Sequence, residues 1–86
     1  MSDYLDGNAL AGPLSEVFSI DITAALGTCG GCGAVRALAQ AHLYVDAPAN
    51  ILRCPSCGGV LLRLDERGGR LILDLSGFAH LTIQVG

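Results

Sequence analysis

Two pairs of cysteines are the feature that most constrains how this chain can fold. The pairs are Cys29-Gly30-Gly31-Cys32 and Cys54-Pro55-Ser56-Cys57, and residues 33–53 lie between them. A CxxC turn can direct two sulfurs at one ion, and two such turns complete a tetrahedron. The gap is close to the usual one between the C-x2-C pairs of zinc sites. The spacing therefore predicts a metal site at Cys29, Cys32, Cys54 and Cys57.

A glycine follows the second cysteine of each pair, at Gly33 and Gly58. A chain that turns tightly around a cysteine pair needs a positive φ there, and glycine adopts it without steric cost. In such a turn the backbone amides point at the thiolate sulfurs and support them as metal ligands. We therefore expect positive φ at both glycines.

Zinc is the default ion for four sulfurs in a tetrahedron, and mononuclear iron is the competing ion. The alternatives to a metal are two disulfides, four free thiols or a CxxC redox switch. Four thiolates leave no coordination position open for water, whereas a catalytic zinc keeps one. We therefore expect a structural ion and no enzymatic activity.

Length and composition predict one folded domain over residues 1–86. The chain is 51% hydrophobic and 15% charged, which excludes intrinsic disorder. Its start lacks the basic and apolar segments of a signal peptide, so we expect a cytoplasmic protein without membrane association. In that reducing compartment, paired cysteines bind metal more often than they form structural disulfides.

The first part, residues 1–19, is predicted to contain a short helix. Leu10, Leu14 and Phe18 recur at helical spacing. Pro13 lacks an amide hydrogen, so we expect a kink there or a new helical start with Pro13 in the first turn.

The second part, residues 20–59, carries the two cysteine turns. Loose alternation predicts a short strand over Ile20–Ala25, and an apolar residue at every odd position predicts a strand over Val35–Val45.

The third part, residues 60–86, is predicted to form a three-stranded β-meander. Gly68-Gly69 supplies the positive φ angles of a tight hairpin. In the register that keeps like side chains together, Leu64 faces Leu73 and Arg63 faces Asp74. A third strand over Leu81–Val85 is expected to return alongside the second. One face of this meander is aliphatic and needs a cover, which the N-terminal segment or a second subunit would provide; the face comprises Val60, Leu62, Leu64, Leu71, Leu73, Leu75, Leu81, Ile83 and Val85.

The expected fold class is therefore mainly β: a small zinc ribbon with an antiparallel sheet, the C-terminal meander and a short N-terminal helix.

Two histidines and two arginines are weaker candidates for functional residues. His42 and His80 are possible ligands, but four cysteines already fill a metal shell, so we interpret both as surface or hydrogen-bonded histidines. Arg67 and Arg70 lie beside the hairpin tip and could contact a phosphate or an acidic partner. We interpret them as solvent-exposed residues of the turn. The sequence contains no Ser-His-Asp arrangement, P-loop or dinucleotide-binding motif.

The charge disfavours nucleic acid as a partner. The formal net charge is -3, and four bound thiolates with Zn²⁺ would add about -2, for about -5 in the metal-bound protein. A protein that binds nucleic acid usually presents a basic surface.

Several segments together resemble a bacterial family of small zinc-ribbon proteins to which no function is assigned. They are Leu5-Asp6-Gly7-Asn8-Ala9-Leu10-Ala11-Gly12-Pro13-Leu14, Asp21-Ile22-Thr23-Ala24-Ala25, both CxxC turns, Tyr44-Val45-Asp46-Ala47-Pro48 and Leu52-Arg53-Cys54-Pro55. The resemblance covers most of the chain. It implies a zinc site at the four cysteines and no particular activity.

Three functional hypotheses remain open from the sequence. The leading one is a structural-zinc module that meets a protein partner or a second copy of itself. The second is a zinc ribbon associated with nucleic acid or transcription, which rests on analogy of fold. The third is a thiol redox sensor that releases its metal on oxidation.

Overall fold

The architecture was derived from a computed structural model, which describes residues 4–15, 18, 21–46 and 49–84. Eight strands and one short α-helix are present in these ranges. The strands are β1 (Leu5–Asp6), β2 (Leu26–Cys29), β3 (Val35–Ala37), β4 (His42–Asp46), β5 (Ala49–Arg53), β6 (Val60–Arg67), β7 (Arg70–Asp74) and β8 (Phe78–Thr82), and the helix is α1 (Ala11–Leu14). Short 3-10 segments occupy Gly7–Leu10, Ile22–Ala24 and Leu38–Gln40. The predicted class, mainly β with antiparallel sheets and a short N-terminal helix, is confirmed.

The strands form two sheets. A five-stranded sheet has the order β1-β4-β5-β6-β7, and a three-stranded sheet has the order β3-β2-β8. Every pairing is antiparallel. The two cysteine pairs are divided between the sheets, because Cys29 ends β2 and Cys54 directly follows β5.

The predicted hairpin of β6 and β7 is confirmed in its register. Leu64 pairs with Leu73 and Arg63 pairs with Asp74. Gly68 and Gly69 have φ angles of 55° and 77°, as a two-residue turn with both central residues at positive φ requires.

The predicted third strand of the meander does not pair with β7. β8 pairs with β2 of the other sheet, where Leu81 lies opposite Gly27, and it does not pair with β7. The expected strand over Leu81–Val85 is therefore wrong in its partner and its bounds, and Val85 lies outside the described residues. Gly77 explains the change of direction, because its backbone packs against Val60 and Leu61 so closely that a β-carbon would overlap them.

The start of β6 departs from the expected alternation as well. A register irregularity in β5–β6 lets Arg53 pair with Val60 while Leu52 pairs with Leu62. The extra residue, Leu61, is buried and Val60 is exposed, as expected where a bulge reverses the side-chain alternation.

The segment Val35–Val45 is not one strand. It divides into β3, the 3-10 segment Leu38–Gln40 and β4. The break carries Leu38, which is fully buried and whose amide donates to the carbonyl of Ala25 at 3.1 Å. The strand predicted over Ile20–Ala25 is also wrong, because Ile22–Ala24 is a 3-10 segment; Ile20 lies outside the described residues.

The N-terminal helical segment covers part of the aliphatic face that it was predicted to cover, at Leu62 and Leu64 of β6. Leu10 and Leu14 are buried in the same apolar cluster as Leu52, Leu62 and Leu64. Pro13 lies in the first turn of α1, where helix amides have no intrahelical acceptor. Residues 16, 17, 19 and 20 lie outside the described part, and the division into parts 1–19, 20–59 and 60–86 stays a prediction.

Candidate metal centre

The first cysteine turn is held by its own backbone. The amide of Cys29 donates to the Ala34 carbonyl at 2.9 Å, and the amide of Gly33 donates to the Cys29 carbonyl at 2.9 Å. Within the turn, the Gly31 amide points at the Cys29 Sγ at 3.4 Å. Gly33 has a φ of 78°, which confirms the positive φ expected there.

The second turn repeats this arrangement. The amide of Cys54 donates to the Gly59 carbonyl at 2.9 Å, and the amide of Gly58 donates to the Cys54 carbonyl at 2.8 Å. The Ser56 amide points at the Cys54 Sγ and the Gly59 amide at the Cys57 Sγ, both at 3.4 Å. Gly58 has a φ of 75°, again as expected. Two segments of different sequence thus form the same sulfur-directed turn.

The two turns face each other and bring the four sulfurs into one cluster. All four Sγ atoms lie within 4.8 Å of one another. The closest contacts run between the turns, with Cys29 Sγ 3.7 Å from Cys57 Sγ and Cys32 Sγ 3.7 Å from Cys54 Sγ.

These distances fit a metal site and do not fit disulfides. A tetrahedron with metal–sulfur bonds of about 2.3 Å has sulfur–sulfur edges of about 3.8 Å. A disulfide holds its sulfurs at about 2.05 Å, and all four cysteines are free. Cys29 and Cys54 are buried, whereas Cys32 and Cys57 are exposed. The four residues can therefore hold one metal ion near the protein surface.

The surroundings of the thiols shift the pKa of three of the four cysteines. Hydrogen bonds from the backbone amides of Cys32 and Gly31 lower the pKa of Cys29 to about 7. The Ala34 amide acts to lower the pKa of Cys32, but partial loss of hydration and the neighbouring sulfurs raise it to about 11. Burial opposes ionisation of Cys54, yet the amides of Cys57 and Ser56 lower its pKa. A cation that binds all four sulfurs must displace the remaining protons.

The chain matches one family of proteins along its whole length. A family model described as a family of unknown function, DUF6510, matches residues 1–86. The chain belongs to DUF6510. No curated protein and no solved structure matches it. The expected membership of a family without an assigned function is therefore confirmed, and the four clustered cysteines have a zinc-ribbon-like arrangement. The bacterial origin stays a prediction.

Neither histidine of this DUF6510 chain joins the cysteine cluster. His80 lies in β8, where its Nε2 is 3.2 Å from the Thr28 Oγ1. His42 stacks on the ring of Tyr4, with ring centroids 3.8 Å apart. Among the described residues, the group that can hold a metal consists of the four cysteines alone.

One surface of the DUF6510 chain was missed by sequence reasoning. Tyr4, His42, Tyr44, Ile51 and Arg53 lie on the outer face of the five-stranded sheet, and we call them the aromatic–arginine face. The ring centroids of Tyr4 and Tyr44 are 5.9 Å apart, and the Arg53 guanidinium lies 5.9 Å from the Tyr44 ring. The alternation of β4 places His42 and Tyr44 on one face, but the pairing of β1 with β4 has no such signal.

No helix in the described parts of the DUF6510 chain is both long and apolar enough to cross a membrane.

Proposed function

We propose that this protein is a small structural-zinc module in which Cys29, Cys32, Cys54 and Cys57 bind one Zn²⁺. The observation that carries the proposal is the sulfur geometry. Two contacts of 3.7 Å between the turns match the edge of a zinc–thiolate tetrahedron, and three backbone amides support the sulfurs. When bound, the ion would supply charge compensation and a cross-link between the turns.

The role we assign to the ion is to join the two sheets. Cys29 belongs to the three-stranded sheet and Cys54 follows a strand of the five-stranded sheet, so an ion held by both turns links them. Four thiolate ligands leave no coordination position for a substrate or water. This closed ligand set supports a structural role and argues against a catalytic one.

The test is elemental analysis with native mass spectrometry on freshly purified protein. We expect one zinc per chain, whereas one iron would replace zinc in the proposal. The variant Cys54→Ser should lower the metal content strongly. Ser56→Ala should keep it, because the donor to the Cys54 Sγ is the backbone amide of residue 56. The proposed site would be refuted if Cys54→Ser kept its full metal content. It would also be refuted if the wild-type protein contained two disulfides and no metal.

We further propose that the module binds a protein partner through the aromatic–arginine face. Tyrosine and arginine are enriched in protein interfaces and among the residues that dominate binding energy. Tyr44 and Arg53 lie side by side on this face, with the half-buried Ile51 opposite Tyr44 on the neighbouring strand. The acidic net charge of -3 favours a protein over nucleic acid.

This proposal is tested by comparing affinity captures made with wild-type protein and with Tyr44→Ala. A specific partner should be lost with Tyr44→Ala and kept with Val35→Ala, a change at an exposed position on the three-stranded sheet. Both variants should keep their metal. Capture that both variants retain would reject this face. Capture that is lost after nuclease treatment and weakened by salt would favour nucleic acid instead.

The exposure of Cys32 and Cys57 favours a second candidate function, that of a thiol redox sensor. In such a sensor, two thiolates give two electrons to hydrogen peroxide and form a disulfide. Two protons are consumed, two waters form and the metal is released. Metal release by mild peroxide that a reductant reverses would support this function, and release that no reductant reverses would reject it.

A further inference from the structure

The outer edge of β7 is the feature of this fold that remains without a function. β7 is the last strand of the five-stranded sheet, and no described strand pairs with its other side. The strand that was expected there, β8, pairs with β2. β7 has the sequence RLILD, with no proline and no lysine, and its pairing with β6 has no irregularity. Proline, lysine and register irregularities are features by which natural proteins protect an open edge from pairing, and β7 has none of them.

The hairpin register determines which backbone groups face the open side. Arg67 and Arg70 flank a two-residue turn and form the hydrogen-bonded pair that closes it. Hydrogen-bonded and non-hydrogen-bonded pairs alternate along an antiparallel ladder. The backbone N–H and C=O groups of Ile72 therefore bond to β6, as those of Arg70 do. The N–H and C=O groups of Leu71 and Leu73 point away from β6 toward the open edge.

The sequence of β7 is complementary to itself when two copies run antiparallel. We propose that two copies of this chain pair through β7, with a two-fold axis at Ile72. In this register Arg70 lies opposite Asp74 of the second copy, and Leu71 lies opposite Leu73 of the second copy. The leucine pair carries the inter-chain hydrogen bonds, as the orientation of their backbone groups requires. The result is a continuous ten-stranded sheet, from two sheets of five strands.

The charges along the β6–β7 hairpin support a second copy as the occupant. Asp65 binds two arginines of β6, with Arg63 Nε at 3.0 Å and Arg67 Nη2 at 3.7 Å. Arg70 lies opposite Arg67 in the register and forms no ion pair with any described residue. Asp74, at the other end of β7, accepts the Ser76 amide at 2.8 Å. Asp74 lies opposite Arg63 but, like Arg70, forms no ion pair with a described residue. Each end of β7 thus carries a charge that can pair with the opposite end of a second copy.

The apolar residues of β7 fit the same arrangement. Ile72 is 53% exposed on the outer face, and at the two-fold axis it would contact its own copy in a non-hydrogen-bonded pair, where side chains come closest. Leu71 and Leu73 are half-buried at the margin of the core. Pairing would extend that apolar surface across the two copies.

Other registers lose these contacts. A shift of two residues places Arg70 opposite Ile72, or Ile72 opposite Asp74, of the second copy. A shift of one residue places Leu71 and Leu73 opposite residues of the second copy whose backbone groups bond to their own β6, so the inter-chain hydrogen bonds cannot form. Two five-residue strands give a small interface, so we expect a dimer that dissociates on dilution.

The test uses two charge-reversal variants of the metal-loaded protein, Arg70→Asp and Asp74→Arg. Each variant alone sets like charges opposite each other at both ends of the paired strands. Sedimentation velocity over a concentration series should show that each dimerises at least about tenfold more weakly than wild type. When the two variants are mixed, both end pairs become attractive again. A heterodimer should form with an affinity within a few-fold of the wild type.

Arg36→Asp serves as the matched control, because it makes the same change on β3, an edge strand of the other sheet. Its dimerisation should equal that of the wild type. Metal content and melting temperature are measured for every variant to show that each is folded. A wild-type protein that stays monomeric up to millimolar concentration would overturn the proposal. A dimer that both charge variants retain would also overturn it, and so would a mixture of the two that does not associate.

Discussion

Removal of the metal should open the three-stranded sheet and leave the five-stranded sheet largely folded. The buried apolar cluster comes mainly from the five-stranded sheet and the helical segments packed on it. The three-stranded sheet contributes only Cys29 as a buried member, with Phe78 and Leu81 packed at the margin. Its attachment therefore depends on the cysteine cluster more than on apolar packing.

The magnitudes support this order of unfolding. Half-burial of Phe78 and Leu81 stabilises the attachment by about 2–3 kcal/mol in total. Fixing the backbone costs about 1–2 kcal/mol per residue, and the strands β2, β3 and β8 contain four, three and five residues. Their ladder hydrogen bonds return about 1 kcal/mol each. A structural zinc contributes about 10–16 kcal/mol, so its loss removes the largest stabilising contribution.

The assay is hydrogen–deuterium exchange combined with a melting curve, before and after verified removal of the metal by a chelator. Backbone amides of β2 and β8 should exchange much faster without the metal, while those of Leu52 and Leu62 keep most of their protection. A loss of only about 3 kcal/mol would lower the melting temperature of a domain this size by about 12–24 °C. The Ser56→Ala variant, with its metal bound, should melt within a few degrees of the wild type.

An unchanged melting curve and unchanged exchange after complete metal removal would refute this reasoning. Equal loss of protection in both sheets would refute it in part, because it would show that the five-stranded sheet also depends on the ion.

Three further predictions follow from the packing and the charges. Leu52→Ala, at a fully buried position, should lower the free energy of unfolding by about 2–5 kcal/mol in urea titrations, and a loss below 1 kcal/mol would contradict the packing. Gly77→Ala should cost about 1–3 kcal/mol because its β-carbon overlaps the backbone of β6, whereas Gly12→Ala, with open space around it, should be neutral or slightly stabilising. Hydrogen bonds from the Ser76 side chain and amide hold the pKa of Asp74 below its ordinary 3.8. The stability they add is therefore present above pH 4 and lost as the pH falls through that lowered pKa. The difference in stability between Asp74→Asn and the wild type should be largest at pH 6 and should shrink as the pH falls below 4.

Features set by neighbouring residues could be predicted from the sequence. The hairpin register follows from the two glycines at 68 and 69 together with the alternation on either side of them, and it is correct. Likewise, the positive φ at Gly33 and Gly58 follows from the turn around each cysteine pair. In both cases the controlling residues lie within a few positions of one another, so the local backbone has few ways to satisfy them.

Features set by distant contacts could not be predicted. The alternation from Val35 to Val45 is typical of a strand, but the chain breaks it to bury Leu38 and to bond the Leu38 amide to Ala25. The same alternation holds whether or not that contact forms, so periodicity alone cannot reveal the break. The aromatic–arginine face was missed for the same reason, because β1 and β4 are separated by more than 30 residues.

The crossing of the chain after β7 explains why the C-terminal strand was assigned to the wrong sheet and what that crossing achieves. Gly77 packs on the backbone of β6, and its carbonyl accepts the amide of Gly30 at 2.9 Å in the first cysteine turn. Phe78 then covers Gly27 and lies opposite Cys29. The glycines are what allow these close approaches, and β8 can pack beside the cysteine cluster only by leaving β7. The crossing that supports the candidate metal centre therefore also leaves the β7 edge available to a second copy.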